Sequence, residues 1–349
     1  MLPYEDCIKR QCASLILGKF LLKRFLNYVV LLVVAVNLSW LLAATQLNPR
    51  SLYEMANPPI DPVSIENNLL SRNLSDSVPL VKRWQLWSSG ILKRWDWGQS
   101  PRGGRVQEEI DRRIWVSVRL ITLGSLLGAV LGILIGTWTA ARQYQLSDRV
   151  LTFVTLLGLS VPSFVIASVL QMLATWINAK TGTRFFEFVG ETGSHGSWLG
   201  AEFVDRLQHL VLPTLALTIL GAAFFSRIQR SVMLDSLSSD YVRTARAKGL
   251  RQSQAIIRHA LRMSLIPTST YFAFSVATLF VGAAFMEILF SFHGMGSYAV
   301  STILGQDVHG AVATAAFGGV CVLLGALLAD HMVAWLDPRV RLGGADRVG

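Results

Sequence analysis

Long apolar stretches bounded by charged residues alternate with polar segments along most of this 349-residue chain. A helix needs about 20 mainly apolar residues to cross the hydrocarbon core of a bilayer. Six stretches reach that length, and we predict transmembrane helices at 25–47, 114–140, 150–178, 209–228, 269–291 and 311–336. The pattern therefore predicts an all-α integral membrane protein with six transmembrane helices.

Two prolines fall inside these predicted spans. Pro162 lies in the middle of the third span, where its missing N–H removes a helical hydrogen bond, so we expect a kink there. Pro213 lies within the first turns of the predicted fourth span, a position that tolerates proline because the first N–H groups have no helical partner anyway.

Charge predicts how the spans are oriented. The chain is 52% hydrophobic and only 15% charged, with a net charge of +10. A basic balance can indicate nucleic-acid binding, but here the Lys and Arg side chains collect at the ends of apolar runs, which favours a lipid bilayer and no nucleic acid. They outnumber Asp and Glu in 1–24, 141–149, 227–268 and 337–349. Since positive segments stay inside, both termini are predicted to be cytoplasmic.

The predicted organisation has five parts. They are a cytoplasmic N-terminal segment 1–24, a first transmembrane helix 25–47, an extracytoplasmic loop domain 48–113, a five-helix core 114–336 that contains a cytoplasmic loop 235–267, and a cytoplasmic tail 337–349. A cleaved signal peptide is an alternative for the N-terminal part. The run 25–47 is too long for that and lacks a clean small-residue cleavage site, which favours a retained span.

The loop 48–113 is rich in proline and tryptophan and is too long for a simple connection. We therefore predict a small folded cap on the external face. Its tryptophans either seat the cap at the lipid interface or contact the transported substrate, and the sequence leaves both roles open; they are Trp84, Trp87, Trp95 and Trp97.

The cytoplasmic loop 235–267 is strongly basic and has a helical pattern broken at Gly249. Asp240 is a suitable N-cap for a helix from Tyr241 to Lys248, and Gly249 then suits a left-handed position beyond it. A second helix is predicted from a cap at Ser253 to a stop at Pro267. A docking surface for a soluble partner and a basic loop attracted to anionic lipid are both compatible with this pattern.

Several motifs in this chain resemble those of one protein family, the permease subunits of ABC transporters of the dipeptide/oligopeptide import class. The sequence DYVRTARAKGL at 240–250, followed by RHALR at 258–262 and LIP at 265–267, resembles that family's coupling loop. Further similarities occur in the expected order: GLSVPSF at 158–164, HLVLP at 209–213, EILFS at 287–291 with GMG at 294–296, and LDPRVR at 336–341.

The resemblance implies a role for the loop 235–267 as a coupling helix that docks on a cytoplasmic ATPase. The implied coupling residues are Tyr241, Arg243, Ala245, Lys248, Gly249, Arg258, His259 and Arg262. It also implies the partners: a second homologous permease subunit, two cytoplasmic ABC ATPase domains and an extracytoplasmic solute-binding protein. The broader permease signature opens with Glu-Ala-Ala, whereas this chain has Arg243, Thr244 and Ala245, so a contact by that glutamate does not transfer.

Catalytic chemistry of its own is not expected in this chain. No GxxxxGK[ST] phosphate-binding loop occurs, so we expect no cofactor here and ATP–Mg in the partner ATPases. The six histidines are scattered without an HExxH pattern, and the three cysteines lack a ligand spacing, which predicts no metal site and no structural disulfide. The chain is therefore predicted to be a non-catalytic transport subunit.

Charged residues inside predicted spans are costly and are candidates for function. Arg119, Glu287 and Asp330 are of this kind, although snorkelling or pairing between helices is the more common reason for such charges. We select Pro162, Glu287 and Asp330 as candidate pore or gating residues. Glycines also recur every four positions at 124, 128, 132 and 136, which predicts close packing against either a partner or a neighbouring span.

Short peptides are the expected cargo, with a nickel chelate or glutathione as alternatives that the resemblance allows. A self-contained secondary transporter or channel is the alternative from another class. Such proteins favour inverted repeats or a line of ionisable residues through the spans, and the sequence has neither pattern.

Overall fold

In the computed structural model the described residues are 2–54, 57–193 and 200–336, and side chains are described for these apart from 2–17, 19–21, 273, 274, 276–282 and 334–336. In chain order the described helices are α1 (Leu2–Gln46), α2 (Ser51–Glu54), α3 (Pro62–Ser71), α4 (Leu80–Arg94), α5 (Val106–Ala141), α6 (Leu146–Ser160), α7 (Ser163–Thr181), α8 (Ala201–Leu237), α9 (Asp240–Ala247), α10 (Gln252–Ala255), a π-helical turn (Ile256–Ala260), α11 (Leu261–Leu289), α12 (Met295–Leu304) and α13 (Val308–Leu336). The predicted tail 337–349 lies outside the described residues.

The all-α prediction is confirmed, and the candidate spans coincide with most of the predicted ones. Within the described residues, four helical stretches are long and apolar enough to cross a bilayer: Leu22–Glu54, Val106–Ala141, Ala201–Leu237 and Val308–Val333. Helices α6 and α7 qualify together as one bent span. The predicted span 269–291 falls on α11, whose side chains are described only in part, so a total of six crossings stays a prediction.

Pro162 ends a helix rather than kinking one. The axis turns by 106° between α6 and α7, and Pro162 is the residue just before α7, with an extended ψ of 143°. The residue before a proline is biased away from helical geometry, and Val161 is accordingly extended. We predicted a bend in a continuous helix, whereas the structure has two helices with a corner.

The fourth helix is longer than predicted, and the prediction that Pro213 lies in its first turns was wrong. Helix α8 begins at Ala201, so Pro213 lies in its interior. Ala201, Asp205 and His209 recur every four residues and are buried, which anchors this added N-terminal part against the rest of the chain. The tertiary contacts outweigh the one helical hydrogen bond that the proline removes.

The glycine face of α5 packs against α8, which decides between the two partners that the sequence left open. A Cβ atom on Gly132 would lie 2.5 Å from the Phe225 Cβ, and one on Gly128 would lie 3.0 Å from the Gly221 Cα. Backbone atoms of the two helices therefore approach more closely than any side chain would allow. The four glycines form a contact inside the chain.

The cap region between α1 and α5 is folded around a small core that it shares with the ends of α1 and α13. Trp87 is 5% exposed and stacks on Trp40 of α1, with ring centroids 5.7 Å apart, and Trp97 is 8% exposed. Neither of the two roles that we predicted for the tryptophans fits these two, because they are core residues. Trp84 and Trp95 are exposed, although the Trp84 indole also donates a 2.8 Å hydrogen bond to Asn37 Oδ1.

Polar contacts also hold the cap together. The Ser75 and Ser77 hydroxyls, together with the Arg50 guanidinium, hold the pKa of the Glu66 carboxyl below its usual range. Close to α13, a Cβ atom on Gly98 would lie 2.9 Å from the ring of His309. The cap therefore sits directly on the ends of α1 and α13.

Candidate functional site

The segment between α8 and α11 is a compact helical unit attached to the ends of two long helices. Val242 and Ala245 of α9 are 3% and 6% exposed and lie in one apolar cluster. The same cluster includes Ala140 at the end of α5 and Met233 of α8. Helix α9 packs directly on α10 and the π-helical turn, and the shared cluster links this unit to both long helices, so we expect a displacement of the unit to move them too.

Ala245 therefore lies inside the protein and not on its surface. Thr244 and Ala247 on the same helix are exposed, but Ala245, one of the implied coupling residues, is a packing residue in this structure. Its packing helps to hold α9 in position, and a part in coupling stays a prediction.

The outer face of this unit is exposed and basic. Six cationic side chains lie on it, namely Arg243, Arg246, Lys248, Arg251, Arg258 and Arg262, with Tyr241 exposed beside them and His259 partly exposed. Arg243 lies 3.8 Å from Asp240, an exposed pair that contributes little. Among the described residues no ion pair involves Arg246, Lys248, Arg258 or Arg262. The face is thus a patch of available positive charge.

The prediction of a left-handed turn at Gly249 is confirmed. Its φ is +88°, and its N–H donates to the Arg246 carbonyl oxygen at 2.9 Å. The next N–H, of Leu250, reaches back to the Ala245 carbonyl oxygen at 3.3 Å. Glycine accepts this φ without strain, so it ends α9 and turns the chain toward α10.

Two details of the predicted caps were wrong. Ser239 and not Asp240 precedes α9, and Arg251 and not Ser253 precedes α10. The Gln254 side chain accepts a 3.2 Å hydrogen bond from the Arg251 N–H, which satisfies that donor at the helix start. Boundaries of short helices shift by one or two residues in this way because several polar side chains compete for the same end.

The predicted stop at Pro267 was also wrong, since α11 continues through it. Side chains on either side of the proline are held by Gln229 of α8, which explains the continuity. Gln229 donates to the Ser264 hydroxyl at 2.8 Å and accepts from the Thr268 hydroxyl at 2.6 Å. A helix can pass a proline when neighbouring helices support both halves.

Glu287 pairs structural elements of this chain. It is fully buried near the end of α11 and accepts hydrogen bonds from the Ser297 N–H at 2.7 Å and from the Ser117 hydroxyl of α5. Ser117 in turn accepts from the Met295 N–H at 2.7 Å. The carboxylate therefore ties α11, α5 and the start of α12 together, and a gating role for it stays a prediction.

Asp330 also lies against another helix of the chain. Its Oδ2 accepts a 3.1 Å hydrogen bond from Tyr28 of α1 and lies 3.8 Å from Arg24. These contacts join α13 to α1, and only 6% of the most apolar stretch of the α1 span is buried within the chain. Pro162, the third candidate, is exposed at the corner between α6 and α7, and the structure does not bring the three candidates together.

A buried ion pair that the sequence reasoning missed connects α6 to α8. The Arg230 guanidinium approaches the Asp148 carboxylate with two N–H···O contacts of 2.9 Å, and the Asp148 side chain is 5% exposed. The signal was available, since an acidic residue at the start of one predicted span and a basic residue at the end of another were both predicted on the same side of the membrane.

Comparison with known proteins identifies the family. Residues 132–342 match the family described as "Binding-protein-dependent transport system inner membrane component". The chain belongs to this family. It is 43% identical over 329 residues to the "Oligopeptide transport system permease protein OppB" of Mycobacterium tuberculosis, covering 93% of this chain and 99% of that protein. It is 30% identical to the "Oligopeptide transport system permease protein AppB" of Bacillus subtilis, with 93% and 99% covered.

Two further similarities agree with this membership. The "Dipeptide transport system permease protein DppB" of Lactococcus lactis is 36% identical over 233 residues, which cover 67% of this chain and 71% of that protein. Among solved structures, the inward-facing MetNI methionine ABC transporter matches with a TM-score of 0.50 at 15% identity, covering 66% of this chain and 97% of the matched one. At that identity the likeness concerns the fold alone. The chain is therefore a membrane permease component with an ABC-transporter fold.

A cluster of three possible metal ligands is the other site that sequence reasoning missed. Glu187, Asp205 and His209 each offer a ligand atom within 4.8 Å of the other two. Asp205 and His209 are four residues apart on α8 and so share one face of the helix. This spacing is neither an HExxH pattern nor a cysteine ligand spacing, so the sequence patterns did not reveal it. Glu187 comes from the segment between α7 and α8, and only the fold brings it to them.

Proposed function

We propose that this chain is the permease subunit of an ATP-driven importer and forms the translocation pore with a second homologous permease. Two cytoplasmic ABC ATPase domains drive the pore, ATP–Mg binds in those subunits, and an extracytoplasmic solute-binding protein delivers the cargo. The observation that carries the proposal is the attachment of the exposed basic unit α9–α10 to the ends of α5 and α8 through a shared apolar cluster.

The proposed topology has six crossings in the inner membrane, formed by α1, α5, the bent pair α6–α7, α8, α11 and α13. Both termini and the α9–α10 unit then lie in the cytoplasm, and the cap between α1 and α5 lies outside. Support comes from the excess of Lys and Arg in the segments assigned to the inside. The apolar stretches of α1, α5, α8 and α13 and of the bent pair α6–α7 support five of these crossings.

The mechanism follows from how α9 is attached. An ATPase bound to the basic face moves α9 when the nucleotide state of the ATPase changes. The apolar cluster that contains Val242 and Ala245 transmits this displacement to α5 and α8. Because α5 and α8 touch through backbone at the glycine face, they move as one body. Nucleotide binding in the partner subunits thereby biases the pore between inward- and outward-facing states.

Short peptides are the proposed cargo. The relatives that cover nearly the whole chain are named as oligopeptide transport permeases, and this is the support for the assignment. Direct contacts between the cargo and this chain are not assigned. A nickel chelate and glutathione are the other cargoes to be compared in the same assay.

Reconstitution tests the function. The chain, its partner permease and the two ATPases are incorporated into liposomes with the binding protein, and uptake of a labelled tetrapeptide is measured with and without ATP. We expect ATP-dependent uptake. We also expect Lys248→Glu to reduce it by more than about tenfold, since reversing a charge at the centre of a docking surface costs several kcal/mol.

The matched control is Arg149→Glu, which reverses an exposed charge on α6, on the same proposed side of the membrane but outside α9 and α10. It should leave uptake within about twofold of the unmodified protein. Uptake by this chain alone without ATP would instead indicate a secondary transporter or channel. Equal uptake by the Lys248→Glu variant would remove the coupling assignment, and transport of nickel chelate or glutathione in place of peptide would change the cargo.

A further inference from the structure

The segment between α7 and α8 is anchored at several points, which fixes the position of Glu187. Asn178 of α7 exchanges two hydrogen bonds with the Phe186 backbone, at 2.7 Å and 3.0 Å. The Gly190 N–H donates to the Phe290 carbonyl oxygen at 2.8 Å. Glu187 lies between these two contacts, so hydrogen bonds to the backbone at Phe186 and Gly190 fix its position in the segment.

The His209 ring has its tautomer fixed by a backbone contact. Nδ1 lies 2.8 Å from the Asp205 carbonyl oxygen. Since a carbonyl oxygen only accepts, Nδ1 carries the proton, and a neutral ring then presents a lone pair on Nε2. A ring nitrogen that donates to a backbone carbonyl while the other nitrogen stays free is the arrangement of histidine ligands in metal sites.

The free nitrogen faces a second acceptor. His209 Nε2 lies 3.6 Å from Glu187 Oε2, which is beyond hydrogen-bond length, and the His209 side chain is only 2% exposed. Two acceptors that face each other are stabilised by a cation, a proton or a donating water molecule between them. The 3.6 Å separation is close to the distance between two ligand atoms that each lie about 2.1 Å from a tetrahedral metal ion.

Asp205 completes the cluster with negative charge. One of its oxygens accepts the Gly193 N–H at 2.8 Å, and the other lies 3.5 Å from His209 Nδ1. Within the described part of the chain, neither Asp205 nor Glu187 forms an ion pair with Lys or Arg. Two carboxylates and an imidazole are therefore gathered with no Lys or Arg side chain within ion-pair distance of either carboxylate.

There is also room and a route for an ion. His209, Glu187 and Gly193 line a cavity of about 360 Å³, together with Asn178 and Arg184 among others. Gly193 leaves the ligands their space, because a Cβ atom there would lie 2.6 Å from Glu187 Oε2 and 3.2 Å from the His209 ring. Waters in the cavity can supply the remaining ligands of an open coordination shell.

We propose that Glu187, Asp205 and His209 bind a divalent transition-metal ion of the zinc type. The choice of metal follows from the ligands, since one imidazole and two carboxylates suit borderline ions better than thiolate-seeking ones. Through Glu187, the ion holds the segment between α7 and α8 against α8. Its binding does not depend on which cargo the permease carries, so it is tested separately from transport.

The test is zinc binding by the purified full-length chain in detergent after removal of metals with a chelator. We expect one Zn²⁺ per chain in calorimetric titration, and a loss of affinity of at least about tenfold in Glu187→Gln. Glu191→Gln is the matched control, because Glu191 lies in the same segment but faces Arg119 at 3.6 Å, and it should bind zinc like the unmodified chain.

Two results would overturn the site. One is an unmodified chain that binds no zinc, which would leave a proton as the cation between His209 and Glu187. The other is equal affinity in Glu187→Gln, which would mean adventitious binding at other residues. X-ray absorption at the zinc edge of the unmodified chain decides the matter even if the variant does not fold: only nitrogen and oxygen ligands at about 2.0–2.2 Å, with imidazole scattering, support the site, and sulfur ligands contradict it.

Discussion

Glycine at four successive turns of α5 allows two long helices to meet backbone to backbone. The contact is tightest near Gly132 and Gly136, where an added Cβ atom would meet atoms of α8 at 2.5 Å. In a bilayer the hydrophobic effect gives helices little reason to associate, so this close van der Waals packing has to supply much of the adhesion. Adding one methyl group to a glycine of this face is therefore expected to weaken the contact between α5 and α8.

Gly132→Ala is expected to destabilise the protein by about 1–3 kcal/mol, because the added methyl group overlaps Phe225 and the α8 backbone and forces the helices apart. Thermal unfolding in detergent measures the effect. Gly158→Ala is the control, since it makes the same change in a helix facing α8 but meets only the Ala223 Cβ at 3.2 Å. Equal stability of the two variants would show that the glycine face is not under steric constraint.

Helices are joined in this chain by buried polar contacts as well as by small residues. Asp148 with Arg230 joins α6 to α8, Gln229 joins α8 to α11, and Glu287 joins α11 to α5. Each contact satisfies a polar group that would otherwise be stranded away from water. Together they give the helices of the core one relative arrangement.

The Asp148–Arg230 pair should show strong coupling in a double-mutant cycle with Asp148→Asn and Arg230→Gln. We expect a coupling energy of about 1.5–3 kcal/mol for this two-point, largely buried contact, measured as the free energy of unfolding in mixed micelles. The exposed pair Glu202–Arg206 serves as the reference and should give about 0.3–0.5 kcal/mol. If both pairs gave the same small coupling, α6 would not be held to α8 by charge.

At the level of elements, the sequence predicts what depends on local chemistry. Apolar length located the long helices, and the need for a positive φ located the turn at Gly249. The errors at Pro162, Pro213 and Pro267 share one cause: a proline removes one hydrogen bond, but whether the helix ends, bends or continues depends on neighbouring helices. The Gln229 contacts around Pro267 could not be read from its own segment.

For the candidate site too, the sequence predicted only the features that depend on local chemistry. Its basic character and its break at Gly249 come directly from residue types, and the outward position of Lys248 agrees with them. The inward position of Ala245 does not follow from sequence, because it depends on the ends of α5 and α8 meeting α9. The Glu187–Asp205–His209 cluster was missed for the same reason, since one of its members comes from a different element.

At the scale of the whole molecule, we propose a passive pore component that is moved from the cytoplasm by its ATPase partners. The cap, the bundle and the α9–α10 unit have separate apolar clusters, and α5 contributes to all three through Val106, Val116 and Ala140. If ATPases move the chain through the α9–α10 unit, that unit must lie on the side of the membrane where ATP is hydrolysed.

The most direct test is the position of Lys248 relative to the membrane. Lys248→Cys is made in a chain whose three natural cysteines are replaced by serine, and the vesicles are treated with a membrane-impermeant maleimide. The account predicts labelling in inside-out vesicles, no labelling in right-side-out vesicles, and protection of the cysteine when the ATPases are bound. Labelling from the outside would contradict it, because no ATPase could reach the residue there.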